Sequence, residues 1–420
     1  MVRVFKSKLT GYKSPRNRGG FMGELWRERS ENARREYVSK GDGTLQARLL
    51  DDNRPLKHKL VDGFLDQFFP VGYPQSVGEG YLTYSQFRAL QHFSSAILSV
   101  FSTQSLVFAA GLRPTPAQAT VISWVLKDGM QHIGKLVGSR MGARMDSEPK
   151  RWRIFADVLY DAGTALEMIS PACPQYFLGV AGLANLAKGV AMVTARATRL
   201  PLYTAFAKEG NLSDLYAKGE AMSTLANVAG LGVGIRLASS ACTSLQGKLL
   251  VAPLLSVIHL YSVMEEMRAV PLDTLNAQRT AMLVADYLEL GRVPSPAEIR
   301  YRERLILPVK PNVHAGSVRI ANDILQIPSG KIRELKHRFQ SERFLLDFHE
   351  TSTEMVLHHS ASGEDVVRGW LLAACSSKEA SLSDAYSRVD KMLPEFLSQL
   401  KSRGWQTQLF LHGSAARAFW

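Results

Sequence analysis

The sequence predicts a mainly α-helical protein: a central helical bundle with small-residue helix packing, followed by a small C-terminal α+β domain. Uncharged stretches rich in glycine, alanine and serine recur between residues 89 and 264, and small residues let helices approach closely. Gly134, Gly138 and Gly142 follow at four-residue intervals, so one helix face would carry all three against a neighbouring helix. Beyond residue 313, short strand-like segments accompany amphipathic helices, as in an α+β domain.

The basic N-terminus precedes this bundle. The first 50 residues hold 12 Lys and Arg against 5 Asp and Glu, and no acid precedes Glu24. Two interpretations remain open for residues 1–44: a solvated flexible arm, or an organellar transit segment, since transit peptides are acid-poor and contain arginine. Within and after this arm we expect a short helix near Glu24–Tyr37 and an edge strand over Thr44–Leu50.

Composition limits the classes of partner. The net charge is +13, and 7 of those 13 charges (12 − 5) come from the first 50 residues, so a nucleic-acid partner is not predicted. Cys173, Cys242 and Cys375 lie far apart and form no CxxC pair, which indicates a reducing compartment. No apolar leader is present, so secretion is not expected.

Residues 45–290 form the predicted helical core. A helix should run from Asp52 to Phe69, and the 24 residues Ala89–Leu112 carry no formal charge. That length could cross a bilayer, yet nine of these residues are polar, and the mean hydropathy of the chain is only −0.07. A membrane-embedded bundle and a soluble one therefore both remain open.

The glycine-bearing helix begins with a capping signal. Thr115 is a preferred N-cap, Pro116 fits the first helical position, and Gln118 can bond back to the cap. The charged residues Asp146–Arg153 should break the helix. This turn is either a solvated loop or a contact for phosphates and lipid headgroups. A second helix, Ile154–Met168, carries Asp157 and Asp161 one turn apart.

Charged residues inside apolar helices form the candidate polar site, because buried ions need partners. Its members are Lys127, Asp128, Asp157 and Asp161, with Glu167, Lys135 and Lys188 in similar settings. They could be structural ion pairs between helices or a polar substrate site. Lys188 could also bind pyridoxal phosphate as a Schiff base, although a single lysine on an alanine-rich helix is a weak signal. The octapeptide Ala187–Thr194 recurs as Ala217–Thr224, and Lys218 takes the position of Lys188 in the second copy. This repetition favours a structural role for Lys188 over a unique binding role.

No motif predicts catalysis. Gly230, Gly232 and Gly234 imitate part of a dinucleotide fingerprint, but neither the preceding strand nor the following acid is present, so helix packing is preferred. The histidines and cysteines show no metal-ligand spacing, and we expect no metal site. The protein is therefore not expected to be an enzyme.

A linker at 291–312 and an α+β domain at 313–420 complete the chain. The linker is assigned from the glycine- and proline-rich run Gly291–Pro296. The domain should contain, in order, a basic helix, two strands, two helices and a strand: Ser329–Phe339, Arg343–Phe348, Glu354–His358, Ser362–Ser376, Ser381–Arg403 and Trp405–Leu411.

Several of these segments carry a family resemblance over about residues 45 to 415. The carrying motifs are Phe69–Pro74, Lys127–Gly129, Lys150–Asp161, Ala197–Arg199, Asn211–Asp214 and Gly404–Trp405. In them the chain resembles the plant root UVB sensitive family, whose domain is linked by name to vitamin B6 photoprotection and homeostasis. Arg113–Thr120 and Met145–Pro149 resemble one branch of it.

The resemblance implies a plastid protein that acts in early seedling development and in root responses to UV-B, and the apolar helices leave membrane association open. It implies a hetero-complex with another family member and links to vitamin B6 status and auxin transport. It implies no catalytic residues. Two alternatives stay open: a membrane-embedded carrier for a small anionic metabolite such as a B6 vitamer, and an enzyme acting on such a vitamer.

Overall fold

The computed structural model describes residues 25–29, 34–39, 45–49, 56–112, 117–208, 210–306, 317–321, 327–350, 352–376, 381–413 and 417–418. The chain divides into two units, Met1–Leu65 and Asp66–Trp420. The second unit contains both the helical bundle and the C-terminal α+β part. The fold is mainly α-helical, so the predicted fold class is confirmed.

The first unit contains an antiparallel sheet of three strands in the order β1 (Leu25–Arg29), β2 (Arg34–Ser39) and β3 (Leu45–Leu49). Strand β3 matches the predicted edge strand. The helix expected near Glu24–Tyr37 is wrong, because this stretch forms β1 and β2 with Trp26 opposite Tyr37 in the register. Aromatic residues favour strands, and hairpin pairing overrides a weak helical pattern. Residues 1–24 of the basic arm lie outside the described residues.

A long helical bundle forms the larger part of the second unit. Helix α1 (Leu56–Phe68) leads into it from the first unit. Its helices are α2 (Tyr81–Gly111), α3 (Ala117–Ser139), α4 (Gly142–Ser147), α5 (Pro149–Ile169), α6 (Phe177–Ala197), α7 (Arg199–Thr204), α8 (Leu212–Ala238) and α9 (Leu245–Ala269). Helix α2 packs against α5, α8 and α9, while α6 lies between α3 and α5.

Glycines make the closest of these helix contacts. A Cβ at Gly134 would overlap the carbonyl oxygen of Leu186 on α6, and one at Gly138 would lie 3.3 Å from Val190 Cα. The expectation for Gly142 is wrong. Helix α3 ends at Ser139, so Gly142 starts the separate helix α4, and a Cβ there would meet nothing within 4 Å.

The predicted charged turn also differs from the structure. Helix α5 begins at Pro149, so Lys150 and Arg153 belong to its first turns rather than to a loop. Proline suits the first helical position because its missing N–H has no helical partner there. Both cations are buried. The solvated-loop interpretation of Asp146–Arg153 is therefore wrong for these two side chains.

The C-terminal part combines helices with two small sheets. After β4 (Thr274–Leu275) its elements are α10 (Ala277–Leu290), α11 (Pro296–Ile299), β5 (Ser317–Ile320), α12 (Ser329–Arg338), β6 (Phe344–Phe348), β7 (Ser352–His358), α13 (Gly363–Ser376), α14 (Leu382–Ser402), β8 (Gln406–Phe410) and β9 (Arg417–Ala418). Strand β7 pairs with β5, β6 and β9, whereas β8 pairs in parallel with β4. The predicted helices and strands are present within one or two residues at most ends.

Helix α10 packs with the C-terminal part, although the sequence places it in the helical core. Val284 and Tyr287 of α10 belong to the same hydrophobic core as Trp370 of α13 and Phe396 of α14. Val293 and Ile299 of the predicted linker are buried in this core too. Helix α10 thus packs with the C-terminal core, while the predicted boundary at residue 290 stays a prediction, since Asp66–Trp420 forms one compact unit.

Candidate functional site

The outer surface of the bundle is unusually apolar. Four segments in the described part of the chain are long and apolar enough to cross a membrane: Tyr81–Gly111, Pro174–Thr204, Leu212–Ala238 and Leu245–Ala269. In the most apolar windows of the last two, only 22% and 28% of the residues are buried. Leu250 is 81% exposed and Leu136 on α3 is 70% exposed. These helices thus present aliphatic side chains outward and leave charged ones inside.

The first group of buried charges lies where α2 meets α8 and α9. Arg88 on α2 is 2% exposed and contacts Glu266 on α9, with Nη1 3.4 Å from Oε1. Its Nη2 donates to Glu220 on α8 at 3.2 Å, and Arg199 donates to the same carboxylate at 2.9 Å. Two guanidinium groups thus share Glu220, while Glu266 is fully buried. One buried arginine joins three helices here.

The second group centres on Asp157 and Asp161 of α5. Gln91 Nε2 and Arg153 Nε donate to the two oxygens of Asp157, each at 2.9 Å. His259 on α9 lies between the two acids, with Nδ1 2.9 Å from Asp161 Oδ1 and Nε2 3.8 Å from Asp157 Oδ1. The spacing of four residues that the sequence shows puts both carboxylates on the face of α5 toward α9.

The third group surrounds Glu167, near the other end of α5. Lys188 on α6 and Ser102 on α2 both donate to Glu167 Oε2, and Asn185 Nδ2 donates to Oε1 at 3.3 Å. The Lys188 ammonium also lies 5.2 Å from the ring centroid of Tyr160. The Lys188 side chain thus lies between a carboxylate and an aromatic face.

The four residues of the predicted polar site do not form one cluster. Asp157 and Asp161 lie in the second group, whereas Lys127 pairs with its neighbour Asp128 on α3 at 2.6 Å. Lys127 is buried over Trp124, but Asp128 is largely exposed. Among the described residues, no ion pair or hydrogen bond joins these two sets.

Sequence reasoning missed Arg88, Gln91, Arg153, His259 and Glu266. His259 is an isolated polar residue in a long apolar helix, and that isolation was the available signal, because a buried ionisable group needs a partner. The missed residues have partners on other helices, so no sequence spacing connects them. Arg153 was hidden because it was assigned to a loop.

Several buried polar atoms in this network have no hydrogen-bond partner in the described structure. They include Glu266 Oε2, both carboxylate oxygens of Asp161 and both ring nitrogens of His259. Asp161 and His259 are close enough for electrostatic attraction, but they are not aligned as a hydrogen bond. Carboxylates and an imidazole with unused acceptors and donors can hold a polar solute or take up a proton.

Two further kinds of site, a dinucleotide site and a metal site, find no support in the described residues. Gly230 and Gly234 on α8 pack against Phe93 and Ile97 of α2, which accounts for the GxGxG pattern by helix packing. Within the described ranges, no group of three or more His, Cys, Asp and Glu residues lies close enough to hold a metal ion.

Comparison with known proteins identifies the family of this chain. A family model described as the vitamin B6 photo-protection and homoeostasis domain matches residues 54–291. Protein root UVB sensitive 2, chloroplastic, from Arabidopsis thaliana is 56% identical over 405 residues, which are 94% of each chain. This chain belongs to the root UVB sensitive family. The resemblance predicted from the motifs is confirmed at the level of the family.

More distant members of the root UVB sensitive family also match. Protein root UVB sensitive 6 from Arabidopsis thaliana is 35% identical over 355 residues, 81% of this chain and 70% of that protein. RUS family member 1 from Dictyostelium discoideum is 34% identical over 252 residues, 58% of this chain and 47% of that protein. No solved structure matches. All three buried groups lie within the matched residues 54–291 of this chain.

Proposed function

We propose that this chain is a membrane-embedded plastid factor in vitamin B6 homeostasis, and that it works without catalysis of its own. The observation that carries the membrane location is the inversion of polarity in the bundle. Aliphatic side chains cover its outside, while Arg88, Glu266, Asp157 and His259 lie inside. In water such an exposed apolar surface is costly, whereas in lipid the charged residues of a bundle face its interior.

Alkaline extraction of membranes from cells that express the full chain tests this proposal. We expect the protein to stay in the membrane pellet at high pH and to enter solution only with detergent. A soluble plastid protein in the same sample is the control, and it should be released. Recovery of this chain in the alkaline supernatant would contradict the membrane location.

The physiological role is proposed from the family. The domain description names vitamin B6 homoeostasis, and the name of the 56% identical relative places that protein in the chloroplast. We propose that this chain belongs to the branch of root UVB sensitive 2. It would then act in root UV-B responses and early seedling development, with links to auxin transport, in a complex with another family member.

Purification of the tagged full chain in mild detergent tests the complex. We expect a second family member to co-purify, because the apolar outer face of α3 and α8 can pack against another membrane helix. The matched control is the same chain with Leu225 and Val228 on the outer face of α8 changed to serine, where the yield of the partner should fall. Purification of the wild-type chain as a homogeneous single species would contradict the hetero-complex.

A second candidate function is a carrier for a small anionic metabolite such as a B6 vitamer. The favouring observation is that the polar groups follow the length of the bundle. On α2 alone they extend from Arg88 to Ser105, which binds Lys248 at 3.1 Å. Those 17 residues correspond to about 26 Å of helix, close to the thickness of a bilayer core. Ionisable residues inside membrane segments usually mark such pathways.

Uptake into vesicles that contain the purified chain distinguishes the carrier from the non-transporting factor. The probe is pyridoxal phosphate, and pyridoxal, which lacks the phosphate group, is the comparison. Asp157→Asn should reduce uptake strongly, whereas Asp128→Asn on the exposed side of α3 should not. Equal, leak-like uptake in empty vesicles and in both variants would remove the carrier candidate and leave the membrane factor.

A further inference from the structure

A separate pocket lies at the foot of the bundle, where α5 begins and α9 has ended. Its charged lining residues are Lys150 and Arg151 of α5, Arg279 of α10, and Glu148, Glu303 and Arg304. Four cations thus face two carboxylates. None of these residues belongs to the three buried groups described above, so this pocket is separate from the central network.

Arg279 provides the main observation. The residue is 1% exposed, and its Nη1 lies 3.3 Å from Glu303 Oε1. Its Nε and Nη2 atoms are buried and have no hydrogen-bond partner in the described structure. A buried guanidinium donor left without an acceptor costs free energy, so an acceptor is expected to fill its place.

The two acids of the pocket do not supply that acceptor. Glu303 is occupied by Lys150 and by Arg279 Nη1. Glu148 lies 3.5 Å from Arg151 and makes no side-chain cap on α5. Burial raises the pKa of the Glu148 carboxyl, so its negative charge is destabilised in this pocket, and that charge competes with any other anion for the same cations.

Two helix N-termini meet at the same place. Pro149, Lys150 and Arg151 form the first turn of α5, and Gln278 and Arg279 lie in the first turn of α10. Asn276 already accepts the Arg279 N–H at the start of α10, and Pro149 at the start of α5 has no N–H, so these ends favour an anion only through the positive ends of their helix dipoles. The helix ends, the excess of cations and the unused arginine donors all favour the same kind of ligand.

We propose that this pocket binds a phosphate group, with Arg279 Nε and Nη2 as its buried donors and Arg304 at its exposed rim. The planar fork of an arginine matches two oxygens of a phosphate, which a lysine cannot do. This inference does not depend on the carrier function or on the central network.

Two sources could provide the phosphate. Arg300 Nη1 donates to the carbonyl oxygen of Ala269, the last residue of α9, and Leu272 lines the pocket. The pocket therefore lies at the level where the apolar helices end, which is the level of lipid headgroups if the bundle is embedded. A soluble phosphate ester could enter from the aqueous side.

The test uses the full chain in a neutral detergent and follows its thermal unfolding with added ligand. The probes are inorganic phosphate and a short-chain phosphatidic acid, each at low millimolar concentration, because high concentrations of such anions stabilise proteins without binding. We expect a saturable increase of the midpoint with at least one probe. Stabilisation by both probes identifies an open phosphate site, and stabilisation by phosphatidic acid alone identifies a lipid-headgroup site.

Variants show whether the signal comes from this pocket. Arg279→Lys keeps the positive charge but loses the fork, so the apparent Kd should rise about tenfold or more. Glu148→Gln should lower the Kd, because it removes a competing negative charge. Arg338→Gln, an exposed arginine on α12, is the control and should leave the Kd unchanged. If Arg279→Lys does not fold, Arg304→Gln and Glu148→Gln still give opposite shifts of the Kd.

Two results would overturn the proposal. One is the absence of any saturable stabilisation by either probe in the wild-type chain. The other is a Kd that stays the same in wild type, Arg279→Lys, Arg304→Gln and Glu148→Gln, because binding would then occur elsewhere on the surface.

Discussion

At the scale of single residues, Lys188 shows how one partner decides a role. Its ammonium is buried against Glu167, so removal of the charge leaves a carboxylate with only neutral donors. Breaking a buried ion pair from one side costs roughly 3–5 kcal/mol. We therefore expect Lys188→Met to lower the free energy of unfolding far more than Lys218→Met, whose wild-type lysine donates to the carbonyl oxygen of Asp66 at an exposed position. Chemical denaturation of both variants in detergent measures the difference, and equal losses would contradict it.

The same ion pair bears on the pyridoxal phosphate hypothesis. A Schiff base needs an accessible, unengaged amine, and Lys188 Nζ is buried and donates to Glu167. We expect the purified protein to show no stoichiometric aldimine absorbance band with pyridoxal phosphate. A band that is lost in Lys188→Ala but kept in Lys218→Ala would contradict the non-enzymatic role and revive the enzyme alternative.

Glu148 gives a pH-dependent prediction. Burial raises the pKa of its carboxyl, so the folded protein binds the proton more tightly than the unfolded chain does. Stability due to this group is then fully present below the unfolded pKa of about 4.3 and is lost as the pH rises through the higher folded pKa. Glu148→Gln should thus raise the unfolding midpoint at pH 7, and the gain should disappear near pH 4. A gain that grows on acidification would show the opposite sign of the shift.

At the scale of elements, the contact between α3 and α6 depends on glycine to different degrees along its length. Gly134→Ala would drive a methyl group into the Leu186 carbonyl oxygen, so we expect a loss of about 1–3 kcal/mol or more. Gly138→Ala meets Val190 at 3.3 Å and should be milder. Gly142→Ala has open space and should be neutral or slightly stabilising through helix propensity. The order of the three midpoints in thermal unfolding checks the contact, and a solvent-facing stripe would give three equal gains.

The sequence predicted those elements whose signals are local. Two predicted helices begin at Ser362 and Ser381, and these serines cap α13 and α14 by accepting backbone hydrogen bonds from Asp365 and Asp384. Features that depend on contacts between residues distant in the sequence could not be predicted, because they leave no local signal. The β8 strand was predicted as the last strand of the C-terminal domain, but its partner β4 lies more than 130 residues earlier in the chain and was not predicted. The site follows the same rule: Asp157 and Asp161 were found by their spacing, whereas His259 enters only through the packing of α9 on α5.

At the scale of the whole molecule, the C-terminal core sets where the chain can be divided. Leu283, Val284 and Tyr287 of α10 are buried in it, together with Val293 and Ile299. Each such side chain contributes about 1.5–3 kcal/mol on burial, so the five together match the entire stability of a typical domain. A fragment that starts at residue 313 lacks all of them. It also lacks β4, the partner of β8.

We therefore expect a fragment of residues 271–420 to unfold in one cooperative thermal transition, and residues 313–420 to show none. Circular dichroism of the two purified fragments measures this. Tyr287→Ala in the longer fragment is the graded control. The ring centroids of Tyr287 and Phe396 lie 4.6 Å apart, so this truncation should lower the midpoint without abolishing the transition. If the shorter fragment melts at the same temperature as the longer one, α10 contributes nothing to this core. The boundary would then belong at residue 290, as the sequence pattern alone places it.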